Sequence, residues 1–476
     1  MSTLTTTSPR GVLVALGVTI GSFITLQSLL VPVLPIMQQD LRTSTSGITW
    51  TLTAWLIAAA VSTPLLGRVG DLVGKRRVLL ISIAAVAVGS VIAALAPNLD
   101  VLILARVIQG MGGAIFPLSY GLVRDALPPA RVAGGIGILS AITALGSGLG
   151  TVLAGPLSTL LGWRGLFIVP LAGAVVGVFL VLRYVPAFGL RAPGRINVPA
   201  ALLLSGWLVA LLLPLSSGTN WGWASPLTIG LFALAAVLLS AWIIVEVRSR
   251  QPLVDMRMMS LPGVWNTNAA AVLLGAAMFA VWAYFARFVQ EPLSTGYGLG
   301  LDITSAGLIM LPMLLLMGIA GFFTGRLSRI VSFRTQLAGA ATLIALATLS
   351  IGLLHSNVVQ LVIATAFFGL GLGVAFAATT NIIVQSVPPT QTGVATGMNA
   401  NLRTIGSSIG TAIMTVIVTG TAVTVGGEPT EAGYTLGFVV LSAFAAGAVV
   451  LALVGRRPRT HDSVTAPVSV QALVDA

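Results

Sequence analysis

The sequence predicts an all-α polytopic membrane protein: two six-helix bundles with two helices inserted between them, fourteen spans in all. Three observations predict it. The 476 residues are 56% hydrophobic and 8% charged with a mean hydropathy of +1.02, which no water-soluble core of this size requires. Apolar stretches of about 20 residues recur from end to end between short polar turns, a pattern of membrane-crossing helices and not of a barrel. Segments of the first half also recur in the second at a nearly constant offset.

The spans fall at about 11–36, 47–66, 78–96, 101–123, 134–160, 163–185, 198–216, 226–246, 262–288, 303–324, 335–354, 358–384, 393–421 and 433–455. The first apolar run, Gly11 to Met37, is too long for a signal peptide and lacks a plain cleavage site, so it reads as span 1. An even number of spans puts both ends on one side. Of the 24 lysines and arginines, Arg42 and Arg164 fall on the other side, and Arg106, Arg287 and Arg403 lie within spans. The remaining 19 share the side of the termini, so both termini are expected in the cytoplasm. The net charge of +12 therefore reports topology and needs no nucleic acid. Trp221 and Trp223 stand in an outer turn where interfacial aromatic anchors belong.

The repeat organises the chain. GRVGDLVGKRR, with Gly67-Arg68, answers to GRLSRIVSFR, with Gly325-Arg326; LILARVIQGMG, from Leu102, answers to LVIATAFFGLG, from Leu361. PPARVAGGIGILSAITALGSGLGT, from Pro128, answers to PPTQTGVATGMNANLRTIGSSIGT, from Pro388. Such matches are hard to obtain by chance at three junctions together. They divide the chain into a cytoplasmic N-terminus (1–10), a first bundle (11–185), two inserted helices with their loops (186–261), a second bundle (262–455) and a polar cytoplasmic tail (456–476). Spans 1 and 9 start from the same side, so the repeat is parallel, an arrangement that usually encloses a central site.

Three motifs carry a resemblance. GRVGDLVGKRR between spans 2 and 3, the LxxxRxxQGxGG pattern of span 4 and GSGLGTVLAGP of span 5 look like hallmark motifs of the major facilitator superfamily. Fourteen spans, with VEVRSRQPLVDMRMM after span 8, resemble its drug/proton antiporter branch, known for multidrug and antibiotic exporters. The resemblance implies the major facilitator fold and export of an amphipathic drug, antibiotic or natural product by alternating access. A small-molecule substrate and protons are the implied partners, with no cofactor, and the chain is expected to work as a monomer in the lipid bilayer. It also implies that Gly67, Arg68, Gly70, Asp71, Gly74, Lys75 and Arg76 form a cytoplasmic gate, with Asp71 as a latch on the outward-facing state. The small-residue stripe Gly146, Gly150, Ala154, ending at Gly155-Pro156, is expected to pack against span 10 or 11 and suppress leak during exchange.

The residues themselves say where a solute could bind. An arginine at mid-membrane costs roughly 2.5–3.5 kcal/mol on insertion scales, so Arg106 must face a watered cavity or a satisfied network. Two readings stay open: it is the cation of a substrate cavity with Gln109, one turn along, or it is a structural arginine bonded to carbonyls of span 1. Gln27, Asn399 and Arg403 are the other candidates for the cavity, with Asn401 beside them. Arg287 has Glu291 one turn later, which reads as a salt bridge near the outer surface, and His355 reads as a lone interfacial residue.

None of the 12 acids falls at mid-membrane, and TLQSLLVPVLP, from Thr25, has Leu26 or Gln27 where the antiporters it resembles usually carry an aspartate. Arginine practically never releases its proton, so any proton coupling falls to Asp71, Glu291 or Asp302. A cavity of cations and amides suits neutral, zwitterionic or anionic amphiphiles better than dications. The alternative function is uptake or facilitated passage of a small organic anion. An enzyme is not expected, because the spans offer no cysteine, no acid at depth and no histidine away from a surface, which also leaves no metal site.

Overall fold

A computed structural model describes residues 8–187, 192, 194–421 and 429–454. The 456–476 tail, Arg191 and Glu428 lie outside the described residues. The first bundle holds α1 (Pro9–Leu30), α2 (Leu34–Asp40), α3 (Thr45–Val73), α4 (Lys75–Ala94), α5 (Leu99–Gly110), α6 (Ile115–Ala126), α7 (Pro129–Gly165) and α8 (Ile168–Tyr184). The inserted helices are α9 (Val198–Trp221) and α10 (Pro226–Arg248), followed by the short α11 (Met256–Met259). The second bundle holds α12 (Pro262–Gln290), α13 (Ile303–Leu327), α14 (Phe333–Leu353), α15 (Val358–Ser386), α16 (Thr392–Gly420) and α17 (Glu431–Val454).

Local sequence explains the breaks. Span 1 is α1 and α2 joined by a 3-10 turn at Val31–Val33, where Pro32 and Pro35 remove backbone donors. Span 4 is α5 and α6 joined by a 3-10 turn at Met111–Ala114, where Gly112 admits the ring of Phe23 so closely that any Cβ would strike it. Gly162, at φ 66°, interrupts the helical run between spans 5 and 6, and the chain bends by 82° between Leu153–Gly165 and Ile168–Tyr184. Thirteen other helical stretches are long and apolar enough to cross a membrane, so with the bent pair as one span the described residues hold fourteen.

Capping follows the repeat. Asn98 opens α5 by accepting from Val101 N at 3.0 Å, and Asn357 opens α15 by accepting from Gln360 N at 3.0 Å, 259 residues further on. Packing follows it too. In the first bundle α7 lies on α1, where a Cβ on Gly146 or Gly150 would strike Ile24 and Ser28. In the second, α16 lies on α12, where a Cβ on Gly406 or Gly410 would strike the carbonyls of Val272 and Ala276.

There are three apolar cores. One lies within the first bundle around Leu16, Phe23 and Phe167, and one within the second around Phe285, Phe288 and Phe438. The third joins α9 and the loop after α10 to α3 and α16, through Trp207, Leu208, Leu253, Val254 and Met398. The bundles themselves meet along two seams, α3 on α16 and α7 on α13. These seams are sisters: Gly67 lies against the Gly393 carbonyl in one, with 2.7 Å left for a Cβ, and Gly325 lies against Gly134 in the other, with 2.6 Å.

Candidate functional site

At the face that carries the basic loops, the α3–α16 seam is tied by charge. Asp71 is fully buried and accepts hydrogen bonds from Gly393 N (3.3 Å) and Val394 N (3.1 Å), in the first turn of α16. Those amides are among the four that a helix start leaves unsatisfied, and hydrogen bonds to a charged group contribute about 1.5–3 kcal/mol each. Lys75 stands 3.7 Å from Asp71 and donates to Asp125 at 2.8 Å and to the Pro389 carbonyl at 3.4 Å. The whole group therefore spans both bundles.

The other expected gate residues divide between the seam and their own bundle. Gly67 is in the seam, whereas Gly70 packs on Leu118 and Arg76 donates to the Leu182 carbonyl, both within the first bundle. Gly74, at φ 124°, makes the turn between α3 and α4 that a side chain would strain. Arg68 is buried and lines a cavity of about 150 Å³ with Arg250, Gln251, Asp255 and Gln391, below the loop that follows the inserted helices.

Sequence reasoning missed three groups of this gate, two of which carry no motif signal. Arg124 donates across the seam to the Val387 carbonyl (2.8 Å) and to Thr392 Oγ1 (2.9 Å). Ala192 N donates to the Asp71 carbonyl at 2.7 Å, placing Ala192 against the latch. Glu246, buried at the end of α10, accepts from Leu253 N (2.8 Å) and Val254 N (3.1 Å) and so folds the next loop onto α16. Only the last had a hint, in the quoted VEVRSRQPLVDMRMM.

The polar residues at depth are arranged differently from expectation. Arg106 is fully buried inside the first bundle: its Nε donates to the Thr51 carbonyl at 3.0 Å, its Nη1 to Gln109 Oε1 at 2.8 Å, and its guanidinium sits 5.3 Å from the Trp55 ring. Gln109 in turn donates to Ser90 at 3.1 Å. The carbonyl partner therefore belongs to span 2 and not span 1, and in this conformation Arg106 and Gln109 face a packed network in which Arg106 Nη2 is buried without a partner. Asn399 donates to Asn268 Oδ1 at 2.9 Å within the second bundle, so it does not join Arg106 either. Asn401, two residues further along the same helix and on another face, crosses the seam to the Ala60 carbonyl at 2.6 Å. Gln27 is half-buried on α1.

Arg403 is the arginine placed between the bundles. Its guanidinium lies 4.5 Å from the Phe376 ring and lines a pocket of the second bundle with Leu274, Met278, Leu372 and Thr379. Tyr120, from α6 of the first bundle, lies within electrostatic range of Arg403. No carboxylate pairs with Arg403 among the described residues. A guanidinium over an aromatic face gains about 0.5–2 kcal/mol, which offsets part of its cost at depth.

Two further expectations change. The stripe of Gly146 and Gly150 packs on α1, not on span 10; the contact with span 10 is made by Gly134, Gly137 and Gly148, on another face of α7. Gly155 has open space where its Cβ would be, and Pro156 is exposed, so these two positions meet no neighbouring helix. Residues i and i+4 apart share one face of a helix, but spacing does not say which neighbour the face meets. His355 is not alone: Nε2 lies 2.9 Å from Glu431, while Glu291 is held by Arg287 at 3.5 Å and by the Tyr434 hydroxyl at 2.7 Å.

Two like-packed bundles joined by glycine seams, with one face tied by charge and a cation between the halves, define a membrane carrier of the alternating-access type. The model of the Major Facilitator Superfamily matches residues 15–411 and, overlapping them, 270–472, and the chain belongs to that family. It is similar to the tetracenomycin C resistance and export protein of Streptomyces glaucescens, at 29% identity over 81% of this chain and 71% of that one. The methylenomycin A resistance protein of Streptomyces coelicolor is also 29% identical, with 81% of each chain covered. Among solved structures, the human organic anion transporter MFSD10 (TETRAN) matches with a TM-score of 0.70 and 16% identity, over 94% of this chain and 99% of that one. The fold is therefore that of the major facilitators, and transport of small molecules is the activity of the family.

Proposed function

We propose that the protein exports an amphipathic drug, antibiotic or natural product across the cytoplasmic membrane, exchanging it for protons, and works as a monomer. On this reading the basic face and both termini are cytoplasmic, and the molecule stands in its outward-facing state. The observation that carries it is the Asp71 closure: with α16 pinned to α3 at the inner end, solute held between the bundles can leave only outward. The direction is supported by the relatives, two of which are named for antibiotic resistance.

No described acid lies at mid-membrane, so the proton is assigned to Asp71. A protonated Asp71 gives up most of its hold on two amides and one ammonium, which frees the inner end to open. The test is accumulation of a fluorescent amphiphile in expressing cells, with and without an uncoupler. Export predicts low accumulation that rises at least severalfold when the uncoupler is added, and an Asp71→Asn protein that accumulates as the uncoupled wild type does. The second reading, facilitated passage of an organic anion, is favoured by Arg403; it predicts accumulation indifferent to the uncoupler.

A further inference from the structure

We infer that the cavity of Arg68 and Arg250 at the basic face is an anion site, that it takes a phosphate group bearing a proton, and that its occupant holds this face closed. The site goes beyond export, because it concerns the gate and not the transported solute. Arg68 is 8% exposed, its Nε is buried without a partner, and it makes no hydrogen bond or ion pair among the described residues. The acids within its electrostatic range are engaged elsewhere: Asp71 accepts from Gly393 N and Val394 N, and Glu246 from Leu253 N and Val254 N. Its sister Arg326 is exposed and lies 4.7 Å from the Phe322 ring, so the repeat does not require a bare buried guanidinium here. What Arg68 faces instead is the cavity of about 150 Å³, lined also by Arg250, Gln251, Asp255, Gln391 and Val394.

Size, charge and hydrogen bonding select the ligand. Drug-sized pockets run to about 300–1,000 Å³, so this one is too small for an exported amphiphile, whereas a phosphate, roughly twice the size of a water at about 30 Å³, fits with room to spare. Two guanidiniums offer forks of donors to a tetrahedral oxyanion, and the start of α16, which Gln391 and Val394 bring to the wall, adds the positive end of a helix dipole. Asp255 is the acid on the wall, and its Oδ1 accepts from Arg257 N at 2.9 Å. A carboxylate repels a fully deprotonated anion but accepts a hydrogen bond from one that keeps a proton. The wall therefore admits inorganic phosphate, or the singly charged head group of a phosphomonoester lipid, and disfavours sulfate. Its residues come from α3, from the 250–255 loop and from the start of α16, the loop being packed on α16 through Leu253 and Val254. An anion here is fully held only while α3 and α16 are together, so it weights the equilibrium toward the closed basic face.

The experiment uses the full chain in maltoside micelles, which bring no phosphate of their own, and reads the binding of radiolabelled inorganic phosphate by equilibrium dialysis at neutral pH and fixed ionic strength. A single saturable site is expected, with sulfate competing about tenfold more weakly than phosphate. Arg68→Gln abolishes the binding, Arg250→Gln, on the exposed loop, weakens it about fivefold, and Arg131→Gln, exposed elsewhere on the basic face, binds as wild type. Asp255→Asn narrows the preference for phosphate over sulfate. Saturating phosphate also slows cutting of the 249–258 loop by proteinase K severalfold in the wild type and not in Arg250→Gln. Phosphatidate added to the micelles separates the two sources: a head group that occupies the site lowers phosphate affinity well beyond the effect of oleate at equal charge, and a soluble occupant leaves the two lipids alike. No saturable binding, sulfate bound as well as phosphate, binding that survives both arginine substitutions, or a loop cut equally fast with and without phosphate overturns the inference. Binding is read without a gradient, so failure of this site leaves the export reading as it stands.

Discussion

Arg106 and Arg403 are the same residue type, both within membrane spans, and their neighbours give them opposite work. Arg106 ties α5 to α3 through the Thr51 carbonyl and to its own helix through Gln109, with Trp55 beside it. Removing it leaves a buried carbonyl and a buried amide oxygen short of donors, at about 1–3 kcal/mol for each unsatisfied group. Arg106→Ala is therefore expected to lower the thermal midpoint of the purified protein markedly, and Arg403→Gln to leave it close to wild type; equal shifts in a melting assay would show that the two arginines do not differ in this way. The sequence made the cost of both residues legible, because an arginine in a hydrocarbon-length run is anomalous whatever surrounds it. It could not show their partners. An apolar run fixes depth, but which helix lies across from a given face depends on rotation and tilt, so the carbonyl of span 2 and the ring of Phe376 were invisible.

The helices show the same division at the next scale. Spans and the repeat were readable because apolar length and repeated local motifs show in the sequence itself, and Asn98 and Asn357 cap sister helices accordingly, whereas the 3-10 breaks inside spans 1 and 4 were not read. The stripe on α7 was readable as a contact face but not as a contact with α1. Least readable was the inserted pair. Its first helix, α9, packs on the α3–α16 seam, and Glu246 at the end of α10 bends the following loop so that Leu253 and Val254 bury against α16 beside the amides that Asp71 holds. The inserted pair thus braces the closed gate and does more than fill lipid-facing space. Glu246→Ala strands the amides of two buried residues, again at about 1–3 kcal/mol each. The expected outcome is faster proteolysis of the 249–258 loop together with a lower transport rate. A variant cut no faster than wild type would show that the loop is held by apolar packing alone.

At the scale of the molecule the two seams are related by the repeat but are not equal. Asp71 closes α3 on α16, while the sister position, 258 residues on, is Arg329, exposed at the end of α13. The sister seam closes by glycine contact without a charge, and α9 covers only the first. Opening of the basic face should therefore depend on one carboxylate, with α7 and α13 serving as the uncharged side of the hinge. The chain has no cysteine, so paired spin labels can be placed without first removing any. Labels at Arg77→Cys on the first bundle and Pro388→Cys on the second, both exposed on the basic face beside the Asp71 gate, report the separation of the bundles there. In the wild type one short distance should dominate. Asp71→Asn forfeits charge-assisted hydrogen bonds contributing about 1.5–3 kcal/mol each, and a shift of about 1.4 kcal/mol already changes the balance of two states tenfold. A second, longer population is expected to appear and to become a large share of the whole. If the distance distribution is the same with and without the carboxylate, the basic face is held by packing, and the latch assigned to Asp71 is wrong.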